Sequence, residues 1–210
     1  IRDRDSLINL EPVLGEIYAE ALAQEENNQF INGSGTGLTA ITFSNREYFG
    51  GSSTSGKDTF AEVAFADIPR VMFASDDTYV NQGTFVASPA LFRHVVGLQE
   101  SNGTPLFASS WGNGGIAGQG SAYPSSMAPG FLAGRPVYLS SKMPAEAANT
   151  AAIYYGDFTK FAMGDRRAVT VTWDDSVYAA ELNRAIIVSE RVGFKMLING
   201  AFAVITTSES

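Results

Sequence analysis

The only histidine in this 210-residue chain is His94, set in Leu91-Phe92-Arg93-His94-Val95-Val96. A histidine among bulky apolar neighbours belongs on a helix face or in a partly buried position as a rule. With no cysteine and no second histidine, a zinc site would have to rest on carboxylates, an uncommon ligand set. A Ser-His-Asp triad lacks its Gly-x-Ser-x-Gly elbow. Gly33-Ser-Gly-Thr-Gly37 has the composition of a phosphate loop. It lies behind a helix instead of before one and no Gly-Lys-Ser/Thr follows, so the helix N-terminal amides that hold phosphate are missing. Asp157, Asp165, Asp174 and Asp175 could supply carboxylates to a divalent metal or an acid–base pair, although Asp174-Asp175 follows a strand-like run and reads more simply as a turn. The Asp165-Arg166-Arg167 run is open to two readings: bidentate ion pairs across an interface, or a solvated surface pair worth little. Trp111, Tyr123 and Phe131 lie in or just behind a glycine-rich stretch, residues 108–129. Either that stretch is a surface loop, or its aromatics are packed by something outside this chain. No catalytic residue, metal site or cofactor is assigned. On residues alone this is a globular α+β protein without evident catalytic chemistry, with a metal-dependent hydrolase using the scattered aspartates as the rival of another class.

The element that must organise such a chain is the stretch 9–31. Asn9 can cap a first-turn amide, and Pro12 falls where a missing N–H costs nothing. Val13, Leu14, Ile17, Ala21 and Leu22 recur at three- and four-residue steps, with Glu16, Glu20, Glu25 and Glu26 assigned to the other face. About six turns of helix are predicted, twice the usual length. Gly33, Gly35 and Gly37 are expected to end it, glycine accepting the left-handed conformation that closes a helix.

Composition narrows the partners. The chain is 45% hydrophobic and 17% charged, with 14 basic and 22 acidic residues, a net charge of −8 and no basic run. High-affinity nucleic-acid binding draws on phosphate neutralisation and is not expected. The absence of cysteine fits a reducing compartment. No apolar run reaches the ~20 residues of a membrane span. The start at Ile1 reads as a fragment or a processed product. Along the chain, residues 38–43 read as a short strand, 44–58 as a loop, and 58–74 as helical, with Pro69 opening a second helix. Residues 83–87 read as a buried strand, Ser88-Pro89 as the cap of a helix over 90–98, and Asn102-Gly103 as a turn. Strands are expected at 136–139, 151–155 and 169–173, and two long β segments at 178–188 and 194–206. The fold class is α+β, with the last strands returning to the first helix.

The ordered features resemble one family. Gln29-Phe-Ile-Asn-Gly-Ser-Gly-Thr-Gly37, Thr84-Phe-Val-Ala-Ser-Pro89, Glu100-Ser-Asn-Gly-Thr-Pro-Leu-Phe107, Leu132-Ala-Gly-Arg-Pro-Val-Tyr-Leu139 with Met143-Pro144, Ile153-Tyr-Tyr-Gly-Asp-Phe158, Gly164-Asp-Arg166, Glu190-Arg-Val-Gly193 and Ala201-Phe-Ala-Val-Ile-Thr-Thr207 are similar to tailed-bacteriophage or prophage major capsid proteins of the Hong Kong 97 type. The resemblance implies a long spine helix and two domains. A peripheral domain would comprise 1–37 and the returning β segments 173–210, and an axial domain 38–172. It implies a structural role, copies joining as pentamers and hexamers into an icosahedral shell around double-stranded DNA, located in the virion and, during assembly, in the host bacterial cytoplasm. Scaffold, protease, portal or decoration proteins are implied partners, with neither sequence-specific nucleic-acid binding nor a membrane. Trp111, Tyr123, Phe131, Asp165 and Arg166 become interface candidates. The family's N-terminal arm and extended loop are not in the sequence, from which poor assembly of this chain by itself is expected, and no covalent cross-link is assigned. An encapsulin-like nanocompartment shell shares the fold and is the alternative.

Overall fold

In the computed structural model, residues 10–35, 38–39, 45–98, 130–174 and 185–209 are described. They fall into two compact units, one within Ile1–Ala40 and Ala162–Lys195, the other within Ile41–Phe161 and Met196–Ser210.

The first unit is built on α1, Leu10–Asn32, one residue displaced from the expected span; Asn9 lies outside the described residues. At its end Gly33 donates its N–H to the Gln29 carbonyl at 2.9 Å. The expected left-handed conformation is not adopted there. Glycine is required for another reason, since a Cβ on Gly33 would be driven into the Gln29 carbonyl oxygen. Gly35 belongs to a miniature hairpin of β1, Ser34–Gly35, and β2, Leu38–Thr39, in antiparallel register Ser34↔Thr39; Gly37 lies outside the described residues. Two long strands complete the unit, β8, Phe161–Asp174, and β9, Ala185–Met196. The sheet order is β1-β2-β9-β8, with β2 joined to β9 in parallel at Leu38↔Phe194.

The second unit carries a six-stranded mixed sheet. Its strands are β3, Asn45–Tyr48; β4, Thr84–Ala87; β5, Gly130–Leu132; β6, Arg135–Leu139; β7, Ala151–Gly156; and β10, Phe202–Thr206. Their order is β3-β10-β7-β4-β6-β5. The apolar stretch 58–74 yields a 3₁₀ turn at Phe60–Glu62 and a helix α2, Asp67–Phe73, with Pro69 in the first turn. Ser88 caps α3, Pro89–Val96, its Oγ accepting from the Leu91 N–H at 3.1 Å. Phe60, Ile68, Val71, Phe85, Leu91 and Ile205 meet in the core. The Tyr155 ring stacks at a tilt on Phe85, centroids 4.6 Å apart, and its hydroxyl donates to the Val80 carbonyl at 2.5 Å.

Two expectations are corrected. Residues 45–48, read as loop, form β3, because Asn45-Arg-Glu-Tyr48 has a partner strand 158 residues later in β10 that local composition cannot reveal. The compact units have other bounds than the domains the resemblance implies, 1–37, 38–172 and 173–210. The segment 162–172, assigned to the middle domain, lies with α1, whereas 196–210, assigned to the returning segments, lies in the second unit. The expected break at 189–193 is continuous β9. The chain instead breaks at 197–201, where a 3₁₀ turn at Asn199–Ala201 starts β10, all five of whose residues are buried. A fully buried apolar strand is most stable with neighbours on both edges, and β10 finds them in β3 and β7.

Candidate functional site

The sequence pattern assigned Val13, Leu14, Ile17, Ala21 and Leu22 to the inner face of α1. In the structure Leu14 and Leu22 are half-buried, Ala21 is exposed, and Val13 and Ile17 are 46% and 55% exposed. The face turned to the sheet is displaced by roughly 100°, one residue step of a helix. Leu14, Gly15, Tyr18 and Ala19 line it, opposite Val169 and Val171 of β8 and Ile186 and Val188 of β9. Further along, the Phe30 ring meets Phe194 edge-on, centroids 5.7 Å apart, and Ile31 is buried. The small Gly15 and Ala19 thus lie over the strands, and the bulkier Val13 and Ile17 remain outside.

Between helix and strands runs an apolar groove of about 260 Å³. A Cβ placed on Gly15 would meet nothing within 4 Å. Val169 and Val171, which line this groove, are 50% and 49% exposed. Val13, Ile17, Tyr18, Val169 and Val171 thus leave apolar surface open along one unit, and exposed apolar patches of this kind mark interaction sites. Glu16 and Glu20, both exposed, stand beside it, and the sequence holds no Lys or Arg between Arg4 and Arg46. The outer face of α1 is therefore apolar and acidic.

Across the sheet, Ile186, Val188 and Phe194 of β9 face α1, so strand alternation turns Ile187, Arg191 and Lys195 to the opposite surface. All three are exposed, and Ile187 is 50% exposed.

The sequence-derived interface candidates fall largely outside the described residues. Asp165 and Arg166 belong to β8 and Phe131 to β5, with Phe131↔Pro136 in register; the side chains of these three, and the whole of Trp111 and Tyr123, lie outside the description. His94 sits half-buried on α3. Asp157 is a local cap, accepting from the Thr159 N–H at 3.0 Å and its hydroxyl at 2.7 Å. Asp174 ends β8. Among the described residues no three His, Asp or Glu side chains gather to hold a metal, and no helix is long and apolar enough to cross a membrane. The outer faces of α1 and β9 were missed, although Val13-x-x-Glu16-Ile17-x-x-Glu20 and Ile187-x-x-x-Arg191-x-x-x-Lys195 stand in the sequence. Their meaning depended on which way the helix is turned.

The architecture is a long helix laid on a β ribbon, joined to a mixed sheet faced by two short helices. Solved structures share it. The capsid of the empty GTA particle, computed with C5 symmetry, superposes with a TM-score of 0.77 at 23% identity, over 98% of this chain and 69% of that one. The structure of Mycobacterium phage Bobi matches with a TM-score of 0.64 at 14% identity, covering 99% and 68%. Gordonia phage Cozz gives 0.62 at 16%, covering 96% and 64%. No curated protein sequence matches. The sequence profile of the phage capsid family matches residues 4–207, and the chain belongs to that family. It is a major capsid protein, a structural protein of the virion whose copies assemble with one another into an icosahedral shell.

Proposed function

We propose that this chain is the head subunit of a tailed double-stranded DNA phage or prophage, assembling through pentamers and hexamers and carrying no enzymatic activity. The six-stranded unit is the axial domain, meeting its copies at the symmetry axes, and the α1 unit is the peripheral domain between neighbouring capsomers. Assembly takes place in the host bacterial cytoplasm, with scaffold, protease, portal or decoration proteins as partners. The observation that carries this reading is the family match over residues 4–207. The net charge of −8 suits a container that does not grip its contents by phosphate neutralisation. The test is expression of the full-length reading frame, followed by electron microscopy and nuclease digestion of the recovered particles. Closed shells of uniform diameter holding nuclease-resistant DNA are expected. Shells that enclose a protein cargo and no DNA would assign the chain to a nanocompartment instead, and a chain that forms no shells would overturn the reading.

A further inference from the structure

We infer that the apolar, acidic outer face of α1 is covered by the outer face of β9 from a second copy of this chain, with Val13 and Ile17 against Ile187 and Glu20 against Arg191. This rests on the capsid reading and names one contact within the shell.

Chemistry and spacing both select this occupant. The helix face offers two half-exposed branched apolar side chains next to Glu16 and Glu20. Its partner must therefore present apolar surface next to positive charge. The outer face of β9 does so with Ile187, Arg191 and Lys195, and among the described residues neither Arg191 nor Lys195 has an ion-pair partner. Four strand residues separate Ile187 from Arg191 by about 13 Å. Seven helix residues separate Val13 from Glu20 by about 10 Å, a difference the long Glu and Arg side chains absorb. The Glu20 carboxylate is held on its helix by the Gln24 amide at 3.2 Å, which leaves further acceptor capacity for a guanidinium.

The two faces lie on opposite sides of one layer. The outer side of α1 points away from the sheet it covers, and Ile187 and Arg191 point away from α1. One pair of copies therefore cannot satisfy both faces reciprocally. The contact is head to tail, the kind that closes into rings.

The chain has no native cysteine, so a paired cysteine variant reports on this contact directly. Val13→Cys with Ile187→Cys is introduced into the full-length chain, and the recovered particles are oxidised and run on a non-reducing denaturing gel. A ladder of cross-linked oligomers is expected, absent from either single variant; protein that runs only as monomer overturns the contact. The second arm reverses charge. Glu20→Arg and Arg191→Glu should each lower particle yield about tenfold, since like charges meet across the interface, and the double variant should recover most of the wild-type yield. Single variants that assemble like wild type, or a double variant no better than the singles, would overturn the inference. Wild-type particles run alongside separate its failure from that of the capsid reading. If they form while these variants behave neutrally, only the α1–β9 contact is lost.

Discussion

Asp67 is wholly buried, and each of its carboxylate oxygens has work to do. Oδ1 accepts from the Gly50 N–H at 3.1 Å and from Arg70 Nη1 at 2.5 Å, and Oδ2 accepts from the Ala64 N–H at 2.9 Å. The side chain ties the turn at Gly50 to the start of α2, so Asp67→Ala removes three bonds and leaves buried donors unpaired. A loss of about 3 kcal/mol is expected, read as a lower midpoint in denaturant unfolding. Tyr154 contributes a stability that is lost at alkaline pH. Burial pushes its hydroxyl up to about 12, with the Arg46 charge working the other way. In the unfolded chain the same phenol titrates near 10, so the fold holds the proton more tightly. That stabilisation is complete below pH 10 and is lost as pH rises from 10 to 12, roughly 3 kcal/mol in full at 1.36 kcal/mol per unit. Melting followed from pH 9 to 12 should show a fall that is shallower in Tyr154→Phe. It should not vanish, because burial also raises Tyr155.

At the scale of elements, α1 carries no strong apolar stripe. Apolar and acidic side chains are mixed around its circumference, and its turns are supported by short-range pairs such as Gln29 Nε2 to Glu25 Oε1 at 2.6 Å. Gly15 is a poor helix former, and the space above it is empty. Gly15→Ala should therefore stabilise the subunit by about 1 kcal/mol through helix propensity and a less flexible unfolded chain. A raised melting temperature would confirm that the open groove is kept at a cost in stability, and a lowered one would show that the helix lies closer to β8 and β9.

At the scale of the whole molecule, the chain passes from one unit to the other and back again, so that the second unit is closed by residues 196–210. β10 is paired to β3 through Ala203↔Asn45 and to β7 through Phe202↔Gly156. The chain beyond it is also held, Ser208 donating its N–H to the Lys57 carbonyl at 2.8 Å and Thr207 its hydroxyl to the Ala147 carbonyl at 2.6 Å. Removing residues 198–210 takes an interior strand from a six-stranded sheet. The truncated chain should lose cooperative unfolding of that unit and expose apolar surface, read as a missing calorimetric transition. A normal transition would contradict the strand order.

Local signals in the sequence located α1, the Ser88-Pro89 start of α3, and, as 83–87, 136–139 and 151–155, the strands found at 84–87, 135–139 and 151–156, because caps, proline placement and short apolar runs act within a few residues of one another. The ordered blocks from Gln29 to Thr207 also carried the family. Three things were decided only by tertiary structure. β3 has no strand signature of its own and exists because β10 pairs with it. Residues 202–206 joined the second sheet because a fully buried strand needs neighbours on both edges, which no linear pattern specifies. The rotation of α1 places Leu14, Gly15, Tyr18 and Ala19 over the strands, which the periodic pattern did not specify. That rotation left Val13 and Ile17 outside beside Glu16 and Glu20, so periodicity alone found the helix and missed the face through which it is proposed to work.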